Sequence, residues 1–266
     1  MDEHEFRESL YAKFPKHFKQ INALIGLAQS ALQTYKGFHK DAYEASLALI
    51  FPRAFKSCGS VRALCELAMC EDAAVVMRSL LNLVVVTRWI KLDLPKRADK
   101  YLAWYWMQMY AEITAKTPPE WLAVIQKHFD RVRPQFEYLN AKGKTKLAKK
   151  WYEPEANNLY DLFEQVGLKD HYDTYAFLSG IEHSDATAYY GMLIGAKMPD
   201  GEHRLEIQND MFVPRYLENA FHYFGEIFSI CNESIRLADG GSLEETLEVG
   251  RQFYKSQREG PPAPTV

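Results

Sequence analysis

The stretch that decides the fold is residues 71–92, EDAAVVMRSLLNLVVVTRWIKL. Its length makes about six helical turns, and apolar residues stand on nearly every face, the pattern of a helix buried on all sides. Its longest apolar run, 80–86, is interrupted by Asn82 and is too short to span a bilayer, which takes about 20 residues. Arg78 and Asn82 are four residues apart, so they sit one above the other. An arginine in so apolar a segment needs partners, because an unpaired buried charge is costly. The candidates lie about 100 residues on, in YAFLSGIEH at 175–183, where Tyr175, Ser179 and His183 recur at the same spacing. The two segments are predicted to meet in one polar centre.

Outward from there the chain reads as helix after helix. Residues 3–34 form a helix or a bent pair, with Phe6, Leu10, Phe14, Phe18, Ile21, Ile25 and Leu32 on one stripe and Pro15 at the division. A helix over about 39–69 follows, its stripe at Leu47, Ile50, Phe51, Ala54, Cys58, Val61, Cys65 and Ala68, with Pro52 and Gly59 expected to bend or break it. A tight turn at 70–72 would fold it back antiparallel on the buried helix. Next come helices over 96–116 and 119–140, the second opened by Thr117 and Glu120 as a capping box. The basic stretch 140–150, NAKGKTKLAKK, reads as a solvated linker or helix end. Helices over 155–166 and 170–183 follow, the former ended by Gly167. Asp200-Gly201 between short apolar runs predicts a β-hairpin near 191–208. Val213-Pro214 opens a long helix that Gly240-Gly241 stops, and Ser242 with Glu245 caps the last one. The expected fold is an all-α multi-helix bundle with long antiparallel hairpins and that small β insertion. It would form a single domain over 1–259, with a Pro-rich tail at 260–266.

Composition narrows the function. With 47% hydrophobic and 25% charged residues, the balance is that of a soluble globular protein. A net charge of -3 gives no overall pull toward nucleic acid or anionic membrane. Cys58, Cys65, Cys70 and Cys231 form no C-x-x-C pair and read as buried, reduced thiols. The acidic N-terminus lacks the features of a signal peptide, so a cytoplasmic location is expected. No phosphate-binding loop, dinucleotide fingerprint or nucleophile elbow is present, and no cofactor is implied. Glu218, His222 and Glu226 share one helix face, as metal ligands could. No second helix offers a matching set, and a solvated or ion-paired face is the plainer reading, so no metal is expected.

The pair Arg78-Ser79-Leu80-Leu81-Asn82 and YAFLSGIEH at 175–183 resembles a bacterial all-α family of unknown function. Its members carry R-S-L-x-E and later Y-x-x-L-S-x-x-x-H, and the likeness spans roughly 45–237. Asn82 stands where that family has glutamate, which removes a natural partner for Arg78. The resemblance implies a helical binding or interaction module in a bacterial stress or phage-defence setting. Bottom-up, Arg78, Asn82, Tyr175 and Ser179 supply donors and hydroxyls for a small polar or anionic ligand or a protein partner. His183 is the titratable group that could act as base. A purely structural network tying two helices together is the competing reading. More distantly, Arg215-x6-His222 fits the R-x(4–6)-H formula of HEPN ribonucleases, which are metal-independent. The formula is short enough to arise by chance in such a chain. That alternative would make Arg215 and His222 catalytic across a homodimer axis, whereas the net charge makes nucleic acid an unfavoured partner.

Overall fold

The structure, a computed structural model, describes residues 2–37, 39–183 and 210–258. Among them are ten α-helices and one two-stranded antiparallel sheet. The chain is an all-α bundle with a small hairpin. In order, α1 is Glu3–Lys13, α2 Pro15–Thr34, α3 Ala42–Cys65, α4 Cys70–Leu92, α5 Lys96–Ala111 and α6 Pro119–Val132. After β1 (Glu137–Leu139) and β2 (Thr145–Leu147) come α7 Leu159–Gln165, α8 Tyr172–Glu182, α9 Val213–Ile235 and α10 Gly240–Arg258. The chain divides into two compact units. One comprises Met1–Phe38, Leu47–Val84 and Asp170–Val266, the other His39–Ser46 and Val85–Lys169.

In the first unit α9 packs on α2 and α10. The predicted stripe of α3 is buried at each of its eight positions, Leu47 to Ala68. Phe51 stacks on Phe224 and tilts onto Phe228, with ring centroids 5.8 and 4.9 Å away. On α2 the buried apolar positions are Phe18, Ile21, Leu24, Ala28 and Ala31, one turn-by-turn row that leaves Ile25 and Leu32 at its edge. Residues 70–84 of α4 carry a further dense set of buried side chains, from Cys70 to Val84. α4 has the length and a mean hydropathy of 1.5 that a membrane crossing would need, yet 61% of its most apolar window is buried inside the protein. That is the signature of a core helix. The four cysteines are buried and form no disulfide.

The second unit is built on α5 and α6, with Ala103, Met107, Phe129, Val132, Phe136 and Ala148 as its core. Lys100 is buried here, its ammonium donating to the Glu153 carbonyl at 2.6 Å and to the Glu155 carboxylate. Arg88 donates to the carbonyls of Val166 and Gly167 at 3.0 and 3.4 Å. These are orphan acceptors where α7 ends, a position that favours a cation.

Several boundaries differ from expectation, each for a local reason. α3 runs through Pro52 and Gly59 without a break. The turn after it falls at 66–69 with Ala68 at φ 50°, and α4 already begins at Cys70. α6 stops at Val132 because Pro134 has no N–H to continue it, and a short 3₁₀ turn, Arg133–Gln135, leads into β1. The basic stretch is thus the second half of a hairpin. Asn140 Oδ1 accepts the N–H groups of Lys142 and Lys144, and Gly143 takes φ 68°. Thr117 caps nothing on α6; its hydroxyl accepts from the Thr114 N–H. α9 ends at Arg236 in the left-handed region at φ 49°, before the glycines. Asp239, not Ser242, closes the start of α10, accepting from the Ser242 N–H at 2.9 Å. The hairpin predicted near 191–208 lies outside the described residues.

Candidate functional site

The polar centre forms on α4 and α8, with partners that spacing alone had not ranked first. Arg78 Nη2 donates to Glu182 Oε1 at 2.8 Å and lies 2.6 Å from Oε2, the second contact being an ion pair not aligned as a hydrogen bond. Arg78 Nη1 donates to the Tyr175 hydroxyl at 3.3 Å, and the guanidinium carbon stands 5.6 Å from the Tyr175 ring centroid. The ion pair is largely shielded, its side chains 23% and 29% exposed. Arg78 Nε is buried without a hydrogen-bond partner. Glu182 therefore supplies the carboxylate that Asn82 does not. The sequence signal was available, since Tyr175 and Glu182 are seven residues apart, two turns along one face.

His183 does not join Arg78 directly. Its side chain is 73% exposed and its Nε2 is 3.9 Å from Glu182 Oε2, while its backbone N–H donates to the Ser179 carbonyl and closes α8. Among the described residues, Asn82 and Ser179 contribute no side-chain hydrogen bond to the centre. The structure thus brings together Arg78, Tyr175 and Glu182, with His183 at the rim.

A second constellation lies where α8 meets α9. A pocket of about 390 Å³ is lined by Asp173, Thr174, Phe177 and Leu178 from α8, and by Phe212 with Arg215, Tyr216 and Asn219 from the α9 side. Thr174, Arg215 and Asn219 also line a larger cavity of about 870 Å³, which reaches His17, His171, Glu218, Tyr223 and Arg258. Arg215 and Asn219 are four apart on α9 and so face the same way. Their neighbours come from distant parts of the chain, which no local motif could announce.

In the larger cavity the charges are mostly matched. Arg258 Nε donates to Glu218 Oε1 at 2.9 Å, and Lys13 pairs with Asp210 at 2.6 Å. His171 Nδ1 is 3.0 Å from the Tyr223 hydroxyl, which burial pushes up to about 12, so it stays protonated. The Tyr216 hydroxyl in the smaller pocket is buried without a hydrogen-bond partner, and burial raises its pKa. Neither phenol is a base at neutral pH.

Arg215 and His222 do not share this lining. The His222 ring sits 5.5 Å from that of Tyr254, and its Nε2 is 3.8 Å from Glu218 Oε1. Burial lowers its pKa, and the Glu218 carboxylate works against that. Glu218 is committed to Arg258. Among the described residues no group of three His, Cys, Asp or Glu side chains is arranged to hold a metal.

Fold and site together define an all-α protein with an Arg–Tyr–Glu polar centre on two helices and two pockets that share Thr174, Arg215 and Asn219. The chain belongs to a family of unknown function, DUF5677, whose model matches residues 44–202. That span contains Arg78, Tyr175 and Glu182, and it stops before α9. No curated protein and no solved structure matches the chain.

Proposed function

We propose that the chain is a cytoplasmic helical binding module for a small polar ligand, which it holds between α8 and α9. The observation that carries this reading is the pocket between α8 and α9, whose Thr174, Arg215 and Asn219 line both the smaller apolar space and the larger cavity. Such a site, mostly apolar walls with a few convergent polar groups, is the usual form of a small-molecule site. In this reading the Arg78–Tyr175–Glu182 centre is the fastening that holds α8 in place, with His183 beside it at the surface. A role in bacterial stress or phage defence belongs to the same proposal and rests on the family resemblance. The ribonuclease alternative needs Arg215 and His222 at one groove, and His222 rests instead against Tyr254, so we do not favour it.

The test is an amide NMR titration of the full chain with three probe classes: L-phenylalanine, adenosine monophosphate and succinate. At least one should shift resonances clustered on α8 and α9, and Asn219→Ala should weaken that response. No response to any class, or responses confined to other elements, would overturn the proposal.

A further inference from the structure

The smaller pocket carries one feature that its apolar walls do not explain. Asp173 and Arg215 both line it, and among the described residues neither forms an ion pair. Around the larger cavity two opposite-charge pairs close on each other, Lys13 with Asp210 and Arg258 with Glu218, while Asp170 stands in its lining without an ion pair among the described residues. Here a carboxylate and a guanidinium flank the same apolar space unbridged. Phe177, Phe212 and Tyr216 supply its aromatic surface, and Leu178 its aliphatic one.

Resting on the reading of this pocket as the ligand site, we infer that its ligand is a free α-amino acid with an apolar side chain. The ligand carboxylate meets Arg215, whose planar fork matches a carboxylate with two parallel N–H donors, and Thr174 and Asn219 add neutral donors at the same edge. The ligand ammonium meets Asp173. Aromatic faces beside it suit a cation, since each presents negative charge to it. The side chain fills the remaining apolar space, and about 390 Å³ accommodates a residue as large as phenylalanine. A plain anion would leave Asp173 as a repelling neighbour, and a plain amine would do the same with Arg215. Only a zwitterion satisfies both charges at once, which makes the pocket selective by unpaired charge as well as by contact.

The experiment measures affinity of the full chain for L-phenylalanine, 3-phenylpropionate and 2-phenylethylamine by calorimetry. L-Phenylalanine should bind at least about tenfold more tightly than either analogue, which lacks one charge. Arg215→Gln should abolish its advantage over 2-phenylethylamine, and Asp173→Asn its advantage over 3-phenylpropionate. Both residues are exposed, so neither change should threaten the fold. An analogue that binds as well as L-phenylalanine overturns the inference. So does a chain that ignores L-phenylalanine while adenosine monophosphate or succinate still perturbs α8 and α9, an outcome that leaves the binding module standing. Silence from every probe removes both.

Discussion

At the scale of single residues, the Arg78–Glu182 pair and the histidines around Tyr254 give measurable consequences. Arg78 makes a charged hydrogen bond to Glu182 and a further one to Tyr175, and hydrogen bonds to charged groups are each worth about 1.5–3 kcal/mol. Arg78→Ala is expected to destabilise by about that amount, and a double-mutant cycle with Glu182→Ala should show strong coupling in urea unfolding. A cycle with His183→Ala should show almost none, because His183 is exposed and faces Arg78 only across Glu182. Coupling of the reverse order would restore His183 to the centre. The pH dependence follows from His17 and His222, whose folded pKa values burial lowers while Glu218 opposes the shift. Their rings lie 5.8 and 5.5 Å from that of Tyr254. The unfolded chain then takes up protons more readily than the folded one below about pH 6.5. Stability from these groups is present above that pH and is lost as pH falls through the lowered folded values. Arg258, Arg251 and His171 lie close enough to oppose protonation of His222 further. The melting temperature should drop between about pH 7 and 5, and His17→Gln with His222→Gln should flatten that drop.

At the scale of elements, the crossing of α9 and α10 depends on two glycines that meet large side chains. A Cβ on Gly250 would stand 2.0 Å from Cζ of Phe221, a ring that is fully buried, whereas one on Gly225 would meet only the end of Leu247 at 2.6 Å. Overpacking of a fixed ring costs about 1–3 kcal/mol, and alanine returns up to about 1 kcal/mol of helix propensity. Gly250→Ala should therefore destabilise clearly in a urea melt, and Gly225→Ala should be close to neutral because the leucine tip can turn away. Equal effects would mean that the crossing is looser than drawn. This contact shows where sequence reasoning stops. The α3 stripe was legible because one helix carries seven of its eight positions at helical spacing, and Arg78 was legible because a charge in an apolar run must be answered. Glycines in mid-helix announce nothing until the facing helix is known. Pro134 was a legible stop that the helical spacing of Val132 and Phe136 across it obscured. The pocket between α8 and α9 was not legible, because Arg215 and Asn219 on α9 meet Asp173 and Phe177 of another helix only through the fold.

At the scale of the whole molecule, the question is whether the basic hairpin region turns a protein of net charge -3 toward nucleic acid. Lys127, Arg131, Arg133, Lys142, Lys144, Lys146, Lys149 and Lys150 face only Asp130 and Glu137 in sequence, and all eight are exposed. Two facts argue against a shaped nucleic-acid site. Arg133 is already engaged, its Nε 2.6 Å from Glu137 Oε1. The aromatics best placed to stack on bases are also committed, because Trp151 packs edge-on against Trp89 and Tyr152 with centroids 5.0 and 5.1 Å away, and Tyr152 is buried. Single-strand binders need both a cationic track and open aromatic faces. Trp151 and Tyr152 do not offer the second beside the hairpin lysines, and a solvated cationic surface alone gives affinity through counterion release, with dissociation constants of about 10⁻⁴–10⁻⁶ M that weaken steeply with salt. Fluorescence anisotropy with a single-stranded RNA should accordingly show weak binding that vanishes by about 200 mM salt, and incubation should leave the RNA uncut. Sub-micromolar affinity that survives such salt and disappears when the hairpin lysines are neutralised would contradict this, and cleavage abolished by His222→Ala would return the ribonuclease reading in place of the binding module.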